Sequence, residues 1–463
     1  MAREGRINGI TEGVIWKQLL LFFFPILLGT FFQQFYSTVD TIIVGRYVGK
    51  NALAAIGVTG PLVNLLVGFF TGLASGAGVV ISQAFGGREN ERVSRGVHTA
   101  LALSVVLGAV FTVVGILLAP GMLVLMNTPA EVLDQSIAYL QVYFAGMIPT
   151  LIYNMGTAIL RSVGDSKRPL YFLIAASLLN VVLDFLFVLG FDMGVVGAAW
   201  GTVLSQVLAA ALVALCLCRS AGTPYYLQLR AIRIHGDVLP PMLRVGLPAG
   251  FQSVMYTVSN LIIQAAINKF GTDVIAAWTV YGKIDSIFWM ALSSMGLAIT
   301  TFAGQNFGAR QYGRIHRGLA VSVGMSAVIT LLCSVLFLAF GEPIFLLFNN
   351  DPAVVREGMA MVRFLVPCYF TYLCIEVFSG ALRGCGDSVM PTVMTCLGVC
   401  VLRVAWVWFA VPFQPTVQMV LVSYPITWTT TSVCYLIYYL RGKWLKRRIR
   451  AVGAEEAAPV CPE

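Results

Sequence analysis

The sequence contains few charged residues and few histidines. Charged side chains make up 11% of the 463 residues, against about 25% in an ordinary soluble domain, while hydrophobic residues make up 58%. There are 3 histidines, and the patterns H-E-x-x-H, G-x-S-x-G and the phosphate-binding P-loop are absent. These absences argue against a large soluble domain and against an enzyme, whether soluble or membrane-bound.

The sequence also lacks a disulfide framework. Most of its 10 cysteines lie inside apolar runs, where they behave as small hydrophobic residues. Cys216 and Cys218 are too isolated to indicate a metal site. We therefore expect no cofactor and no structural metal. The first apolar run is too long for a cleavable signal peptide, and no small-residue cleavage site follows it.

Apolar runs long enough to cross a hydrocarbon core of about 30 Å recur along the whole chain. They predict an all-α membrane protein with twelve transmembrane helices. The predicted helices are 17–44, 52–84, 96–118, 133–157, 169–190, 194–217, 240–268, 274–304, 317–340, 355–380, 391–411 and 417–440. We expect Pro25 and Pro248 to kink helices 1 and 7, because proline removes a backbone donor.

The net charge of +9 does not indicate nucleic-acid binding, because the basic residues form no single face. Most of them cluster in alternate short loops, as in membrane proteins whose orientation is set by cytoplasmic Lys and Arg. The opposite loops hold few; they are Arg46, Lys50, Lys269, Arg356 and Arg363. This pattern predicts a multi-pass protein of the cell membrane, with both termini and the segment 218–240 in the cytoplasm.

The two halves of the chain repeat each other at an offset of 222 residues. The segment 82–88 reads Ser-Gln-Ala-Phe-Gly-Gly-Arg and recurs at 304–310 as Gly-Gln-Asn-Phe-Gly-Ala-Arg. The segment 160–169 reads Leu-Arg-Ser-Val-Gly-Asp-Ser-Lys-Arg-Pro and recurs at 382–391 as Leu-Arg-Gly-Cys-Gly-Asp-Ser-Val-Met-Pro. Within it, Arg and Asp four residues apart are expected to form an ion pair, and the glycine is expected to permit a turn.

Each half has six predicted helices, so the second half enters the membrane in the same sense as the first. We therefore expect two pseudo-symmetric six-helix lobes related by an axis along the membrane normal, with transport by alternating access. The predicted division is an N-lobe at 1–217, a cytoplasmic loop at 218–239, a C-lobe at 240–445 and a cytoplasmic tail at 446–463.

Ionisable residues inside a span cost about 2.5–3.5 kcal/mol, so they are candidates for function. Asp40 and Asp184 both lie about 7–8 Å below the outer ends of helices 1 and 5. Asn180 is one turn from Asp184, and Thr202 lies at a comparable depth on helix 6. These four residues predict a cation-coupling site that shares a proton between carboxylates or coordinates a small cation such as Na⁺.

This polar cluster is not repeated in the second half. The positions 222 residues from Asp40, Asn180, Asp184 and Thr202 are Ile262, Leu402, Trp406 and Tyr424. A cluster needed only for structure would more readily survive in both halves, so the asymmetry favours a functional role.

A second set of residues could contact a transported molecule. It comprises Glu376, Tyr36, Asn154 and Asp285. A buried acid can neutralise a cationic guest, and Asn154 lies at the position of the first half that corresponds to Glu376. Arg403 is predicted at a depth close to that of Asp285, so a purely structural pairing of these two is the alternative.

Taken together, these features resemble the multidrug and toxic compound extrusion (MATE) transporters over about residues 15–440. The resemblance is carried by the twelve-helix layout, the paired segments and the stretch 35–45, Phe-Tyr-Ser-Thr-Val-Asp-Thr-Ile-Ile-Val-Gly. It implies a secondary antiporter that exports cationic or amphipathic organic compounds in exchange for inward H⁺ or Na⁺. Asp40, Asn180, Asp184 and Thr202 match the family's N-lobe cation site, and Glu376 matches its acid on helix 10. The acid that some members carry on helix 7 has no counterpart in 240–268.

Two other transporter classes have similar layouts. A flippase for a lipid-linked or polysaccharide precursor would be expected to carry several Arg and Lys residues in its spans to hold a phosphorylated head group. A major-facilitator carrier normally has an aspartate beside arginine in the loop after helix 2, and 85–95 contains none. The expected partners are small cationic molecules and the lipid bilayer, with no nucleic acid and no obligate protein partner.

Overall fold

A computed structural model describes residues 10–348 and 350–451, and this part of the chain is helical with no β-strand. The first half contains α1 (Ile15–Tyr47), α2 (Lys50–Gly86), α3 (Asn90–Leu125), α4 (Ala130–Ala145 with Met147–Ser162), α5 (Lys167–Gly190) and α6 (Gly194–Cys218). The second half contains α7 (Leu239–Ile267), α8 (Thr272–Gly308), α9 (Tyr312–Phe348), α10 (Pro352–Gly384), α11 (Val389–Phe413) and α12 (Val417–Leu440). A short helix, α13 (Lys443–Ala451), follows. The prediction of twelve helices in two sets of six is confirmed.

Within the described residues, 10 helices are long and apolar enough to cross a membrane. The two parts of α4, which meet at an angle of 50°, pass the same test together as an eleventh span. The remaining helix of the twelve, α7, has 29 residues, and a crossing needs about 20. The chain is therefore a multi-pass membrane protein.

The repeated segments adopt repeated backbone conformations. The chain leaves α2 at Arg88 with φ 57° and leaves α8 at Arg310 with φ 58°. Residues with a side chain rarely adopt positive φ, so the agreement shows that the two turns are built alike. The turns after α4 and α10 are made by Gly164 (φ 93°) and Gly386 (φ 83°), which confirms the expectation for these glycines.

The ion pairs predicted in the repeated turns do not form. In the first half, Asp165 faces Arg168, with Oδ2 at 3.2 Å from Nε, instead of Arg161. Its Oδ1 also accepts the backbone N–H groups of Lys167 and Arg168 at 3.1 Å, which caps the start of α5. The prediction was wrong because α4 ends at Ser162, so residues 161 and 165 do not share a helix face.

The corresponding acid of the second half has different partners. Asp387 Oδ2 accepts the hydroxyl of Tyr438 at 2.7 Å and lies 3.5 Å from Nη2 of Arg447. The predicted partner, Arg383, instead donates to the carbonyl of Ser379 at 3.4 Å. The helix again stops before the acid, at Gly384. Asp165 therefore caps the helix that follows its turn, whereas Asp387 ties its turn to α12 and α13.

The described chain forms two compact units, one of residues 24–250 and one of residues 10–23 with 251–451. The boundaries fall inside α1, beside Pro25, and inside α7, beside Pro248. Each of these helices continues on both sides of its proline. The sequence predicted that each lobe would contain six whole helices. In the structure, α1 and α7 are each divided between the two units.

The first part of α7 packs within the unit of residues 24–250. A Cβ added to Gly72 of α2 would overlap the backbone of Gly250, so the two helices touch backbone to backbone. Close approach of this kind depends on residues without a side chain.

The start of α1 is held within the other unit by Arg314 of α9. Its guanidinium donates to the carbonyls of Gly13 at 2.9 Å and Glu12 at 3.0 Å, and to Oε1 of Gln18 at 2.8 Å. Arginine suits this position because its planar group presents five donors in fixed directions.

Candidate functional site

The structure brings Asp40 of α1 and Asp184 of α5 together in the unit of residues 24–250. Their side chains lie within hydrogen-bonding range of each other. Asp40 is 8% exposed and Asp184 is 0% exposed. Two carboxylates so close in a buried place cannot both be ionised without a counter-charge, so the pair requires a proton or a cation.

Local helix geometry positions Asp184. The α-helical part of α5 ends at this residue, and a π-helical segment, Phe185–Gly190, follows it. Such segments are frequent at functional sites, because the wider turn changes the direction of side chains. Asn180, one turn earlier, donates from Nδ2 to Asp184 Oδ1 at 3.4 Å.

The neighbouring helix α6 contributes a close backbone contact to this site. A Cβ added to Gly201 would overlap Oδ1 of Asp184. Thr202, the next residue, makes no hydrogen bond to Asp40 or Asp184 within the described chain. Of the four predicted side chains, those of Asp40, Asn180 and Asp184 come together. The backbone of α6 at Gly201 packs against them in place of Thr202.

Three oxygen atoms of the group are buried without a hydrogen-bond partner among residues 10–348 and 350–451. They are Oδ1 of Asp40, Oδ1 of Asn180 and Oδ2 of Asp184. An unsatisfied buried acceptor costs about 1–3 kcal/mol, which a bound proton or cation would recover. Carboxylate and amide oxygens are also ligands suited to a hard cation, so the residues present fit Na⁺ as well as H⁺.

Aromatic residues close the group on one side. Tyr36, one turn before Asp40, lies near the side chain of Gln206 of α6. Tyr139 of α4 is 7% exposed and packs in one cluster with Ile43 and Val44, which follow Asp40 on α1. Two phenol side chains thus lie on the Asp40 side of the acid pair.

In the other unit, Glu376 of α10 lies against α8. A Cβ added to Gly296 would overlap Oε1 of Glu376, and the hydroxyl of Tyr372 bonds to its carboxyl group. Tyr372 also shares a hydrogen bond of 2.9 Å with Tyr256 of α7. By contrast Asn154, the counterpart of Glu376 in the first half, donates to the carbonyl one turn earlier, at Thr150, at 2.8 Å.

Asp285 of α8 is enclosed by aromatic donors. Its Oδ1 accepts the hydroxyls of Tyr369 at 2.5 Å and Tyr281 at 3.4 Å, and its Oδ2 accepts Nε1–H of Trp289 at 2.6 Å. Sequence reasoning missed this cage, although Tyr281 and Trp289 stand four residues before and after Asp285, on the same face of the helix.

Arg403 of α11 does not form the pair expected with Asp285. Among the described residues these two groups make no ion pair within 4.0 Å. The guanidinium lies 4.1 Å from the ring centre of Tyr424 and donates to Thr427 at 3.5 Å. A cation–π contact therefore replaces the predicted ion pair.

Comparison with known protein families shows the family to which this chain belongs. The sequence model of the MatE family matches residues 25–186 and again residues 248–409, one match for each half. The chain belongs to the MatE family. The match confirms the resemblance seen in the sequence. MATE proteins are membrane transporters and not enzymes.

Similar MATE relatives cover almost the whole chain. A probable multidrug resistance protein of Bacillus subtilis, YoeA, is 28% identical over 94% of this chain and 95% of its own. The multidrug export protein MepA of Staphylococcus saprophyticus is 23% identical over 88% and 90%.

Solved structures show the same fold. A MOP-superfamily transporter from Pyrococcus furiosus, described as having a binding pocket of reversed polarity, superposes with a TM-score of 0.89 at 23% identity, over 95% of this chain and 99% of its own. A multidrug resistance MATE transporter in an outward-facing conformation gives 0.88 at 23% identity, over 96% and 99%.

Proposed function

We propose that this MATE protein exports cationic or amphipathic organic compounds across the cell membrane, in exchange for inward H⁺, by alternating access. The observation that carries the proposal is the buried pair Asp40–Asp184 with its unsatisfied oxygen atoms. Membership of the family and the multidrug resistance names of its relatives support the substrate class.

In this proposal the acid pair takes up a proton from the outside and releases it to the cytoplasm. Neutralising the pair removes a charge from between α1 and α5, and this changes how the two helices pack. Because α1 contains Pro25, it can respond by bending without breaking further hydrogen bonds. Asp285 and Glu376 are then the acids of the other unit that neutralise a cationic guest, and Tyr36 and Asn154 contact the guest in the first unit.

Na⁺ is the second candidate for the coupling ion, and Asn180 is the reason. Its buried Oδ1 lacks a partner within the described residues and is a neutral ligand of the kind that Na⁺ uses beside carboxylates.

A flippase for a lipid-linked or polysaccharide precursor is the weaker alternative for the function. Within the described spans Lys283 and Arg403 lie on different helices, and a phosphorylated head group would need several cations together.

The test is efflux of ethidium from proteoliposomes with an imposed pH gradient in sodium-free buffer. Export driven by the pH gradient alone supports proton exchange. Export that appears only after a sodium gradient is supplied assigns Na⁺ to the same site. The absence of export under either gradient would contradict the proposed function.

A further inference from the structure

Four polar side chains lie along one side of α8, in a line interrupted by the partly exposed Met290. The line, called here the polar stripe, consists of Thr279, Lys283, Ser286 and Ser293. Steps of three, four and seven residues keep these side chains on one face of a helix. Thr279, Lys283 and Ser293 are exposed, and Ser286 is partly exposed. The opposite side carries buried apolar residues such as Ile284, Phe288 and Leu292.

The hydroxyl groups of the stripe are satisfied by the helix itself, but its lysine is not. Thr279 and Ser286 donate to carbonyls of the preceding turn at 2.8 and 2.7 Å. The ammonium of Lys283 has no ion pair and no hydrogen bond within the part of the chain that the structure describes.

The position of Lys283 requires water. It lies in α8, one of the helices long and apolar enough to cross a membrane, eleven residues or about 16 Å after the first residue, Thr272. Exposing a lysine to lipid at that depth costs about 2.5–3.5 kcal/mol, and such residues face water-filled spaces instead. The polar stripe is therefore a surface in contact with water.

The repeat shows that only part of the stripe recurs in the first half, and that its charge does not recur. The positions in α2 that correspond to Thr279, Ser286 and Ser293 are Gly57, Asn64 and Thr71, which are also exposed. Lys283 corresponds to Pro61. Two of the four corresponding positions in α2 are thus polar, and none of them is charged.

The nearest acid along the helix does not neutralise this charge. Asp285 is two residues from Lys283, a separation that places it on another face of α8. Both of its oxygens already accept hydrogen bonds, from Tyr369 and Trp289. Lys283 therefore presents a free ammonium group to the water that contacts the stripe.

We propose that Lys283 binds an anionic group of the transported molecule, so that the protein favours amphipathic zwitterions over plain cations with the same skeleton. The proposal rests on the proposed export function and adds a specificity-determining residue to it. A lysine ammonium is a compact point charge with three donors, which suits a carboxylate arriving from water in varied orientations. It also repels a substrate that carries positive charge alone.

The test compares two dyes that differ in one group, a rhodamine with a free carboxylate and its methyl ester. The export rates of both are measured in proteoliposomes at neutral pH, and the ratio of acid to ester is the readout. In Lys283→Gln we expect this ratio to fall about tenfold, the loss of one charge-assisted contact. Lys283→Arg keeps the charge and should retain most of the parental ratio. Lys269→Gln, which removes an exposed lysine just after the end of α7, should leave the ratio unchanged.

The outcomes separate this inference from the function on which it rests. A parent protein that exports neither dye would overturn the export function and the inference with it. A parent that exports both, with a ratio unchanged in Lys283→Gln, would overturn the inference alone. Equal loss of both rates in Lys283→Gln and Lys283→Arg would also overturn it, because the lysine would then serve the helix and not the substrate.

Discussion

At the scale of single residues, the acid pair of the first unit can be tested by removing its charge while keeping its shape. Asparagine has the size of aspartate but cannot exchange a proton or carry a negative charge. We expect Asp40→Asn and Asp184→Asn each to lower ethidium efflux to the level of cells without the protein, with expression near that of the parent. The measurement is efflux from loaded cells, with immunoblotting for expression.

Asp192 offers a matched control. It is an exposed acid close to the end of α5 and has φ 53°, a conformation that asparagine adopts readily. Asp192→Asn should keep parental efflux. Normal efflux in either variant of the buried pair would remove that residue from the cation site.

The contact between α6 and Asp184 can be tested without touching an ionisable group. Gly201→Ala places a methyl group where Oδ1 of Asp184 lies, and overpacking of this kind typically costs about 1–3 kcal/mol. We expect a lower unfolding temperature in detergent and a loss of efflux, since the acid must move. Gly60→Ala is the control, because no atom lies within 4 Å of its added Cβ. Equal behaviour of the two variants would show that the contact is not needed.

The depth of a residue along its helix was readable from the sequence, but its rotation about the helix axis was not. The depth argument grouped Asp40, Asn180 and Asp184, and the structure places both Asn180 and Asp40 beside Asp184. The same argument gave Thr202 the place that Gly201 takes, because neighbours on a helix share a level and differ by about 100° in direction. The expected pairing of Asp285 with Arg403 failed in the same way.

At the scale of helices, π-helical segments explain part of what the sequence did not show. One follows Asp184 in α5, and the other, Cys396–Val401, ends two residues before Arg403 in α11. Each adjoins a buried charged residue of its span. A π segment interrupts the regular period on which patterns of apolar residues depend, so side chains beside it point away from the expected direction. The number of helices, which depends on apolar length, was predicted correctly, whereas several predicted helices were too short, as with 96–118 against Asn90–Leu125 for α3.

The loop between α6 and α7 is fastened to α3 by a neutral histidine. His235 Nδ1–H donates to Thr99 Oγ1 at 3.1 Å, and Nε2 accepts from Nε–H of Arg233 at 3.1 Å. Beside them Arg95 of α3 pairs with Asp237 at 3.1 Å. Burial and the charge of Arg233 lower the pKa of His235 below its usual 6.5, because a second ring proton would point at the guanidinium.

A lowered histidine pKa makes the folded loop prefer the neutral ring. The resulting stability is present above the usual pKa and is lost as the pH falls through the pKa of the folded state. We expect amide hydrogen exchange of residues 228–238, corrected for intrinsic rates, to be faster at about pH 5 than at about pH 7.5. His235→Gln should remove this difference. Equal protection of the parent at the two pH values would contradict the proposed role of the ring.

At the scale of the whole molecule, the distribution of basic residues predicts which loops face the cytoplasm. A cysteine at Gln228 should resist an impermeant maleimide in intact cells, and one at Lys50 should react. The background must be cleared of reactive native cysteines; those in the described part of the chain are all free thiols. Labelling at residue 228 together with protection at residue 50 would show that the predicted topology is inverted. Both chain ends, 1–9 and 452–463, lie outside the described residues, so their cytoplasmic location stays a prediction.

The hydrogen bonds between Arg314 and the start of α1 can form only late in the synthesis of the chain. The carbonyls of Glu12 and Gly13 are among the first groups of the described chain to leave the ribosome, but their partner is made about three hundred residues later. At an elongation rate of about 5–20 residues per second, the beginning of the first span waits at least about 15 s for its final neighbour. A nascent chain stalled before α9 therefore holds α1 without this anchor. During that interval the insertion machinery or a chaperone has access to carbonyl groups that are hydrogen-bonded to Arg314 in the finished protein.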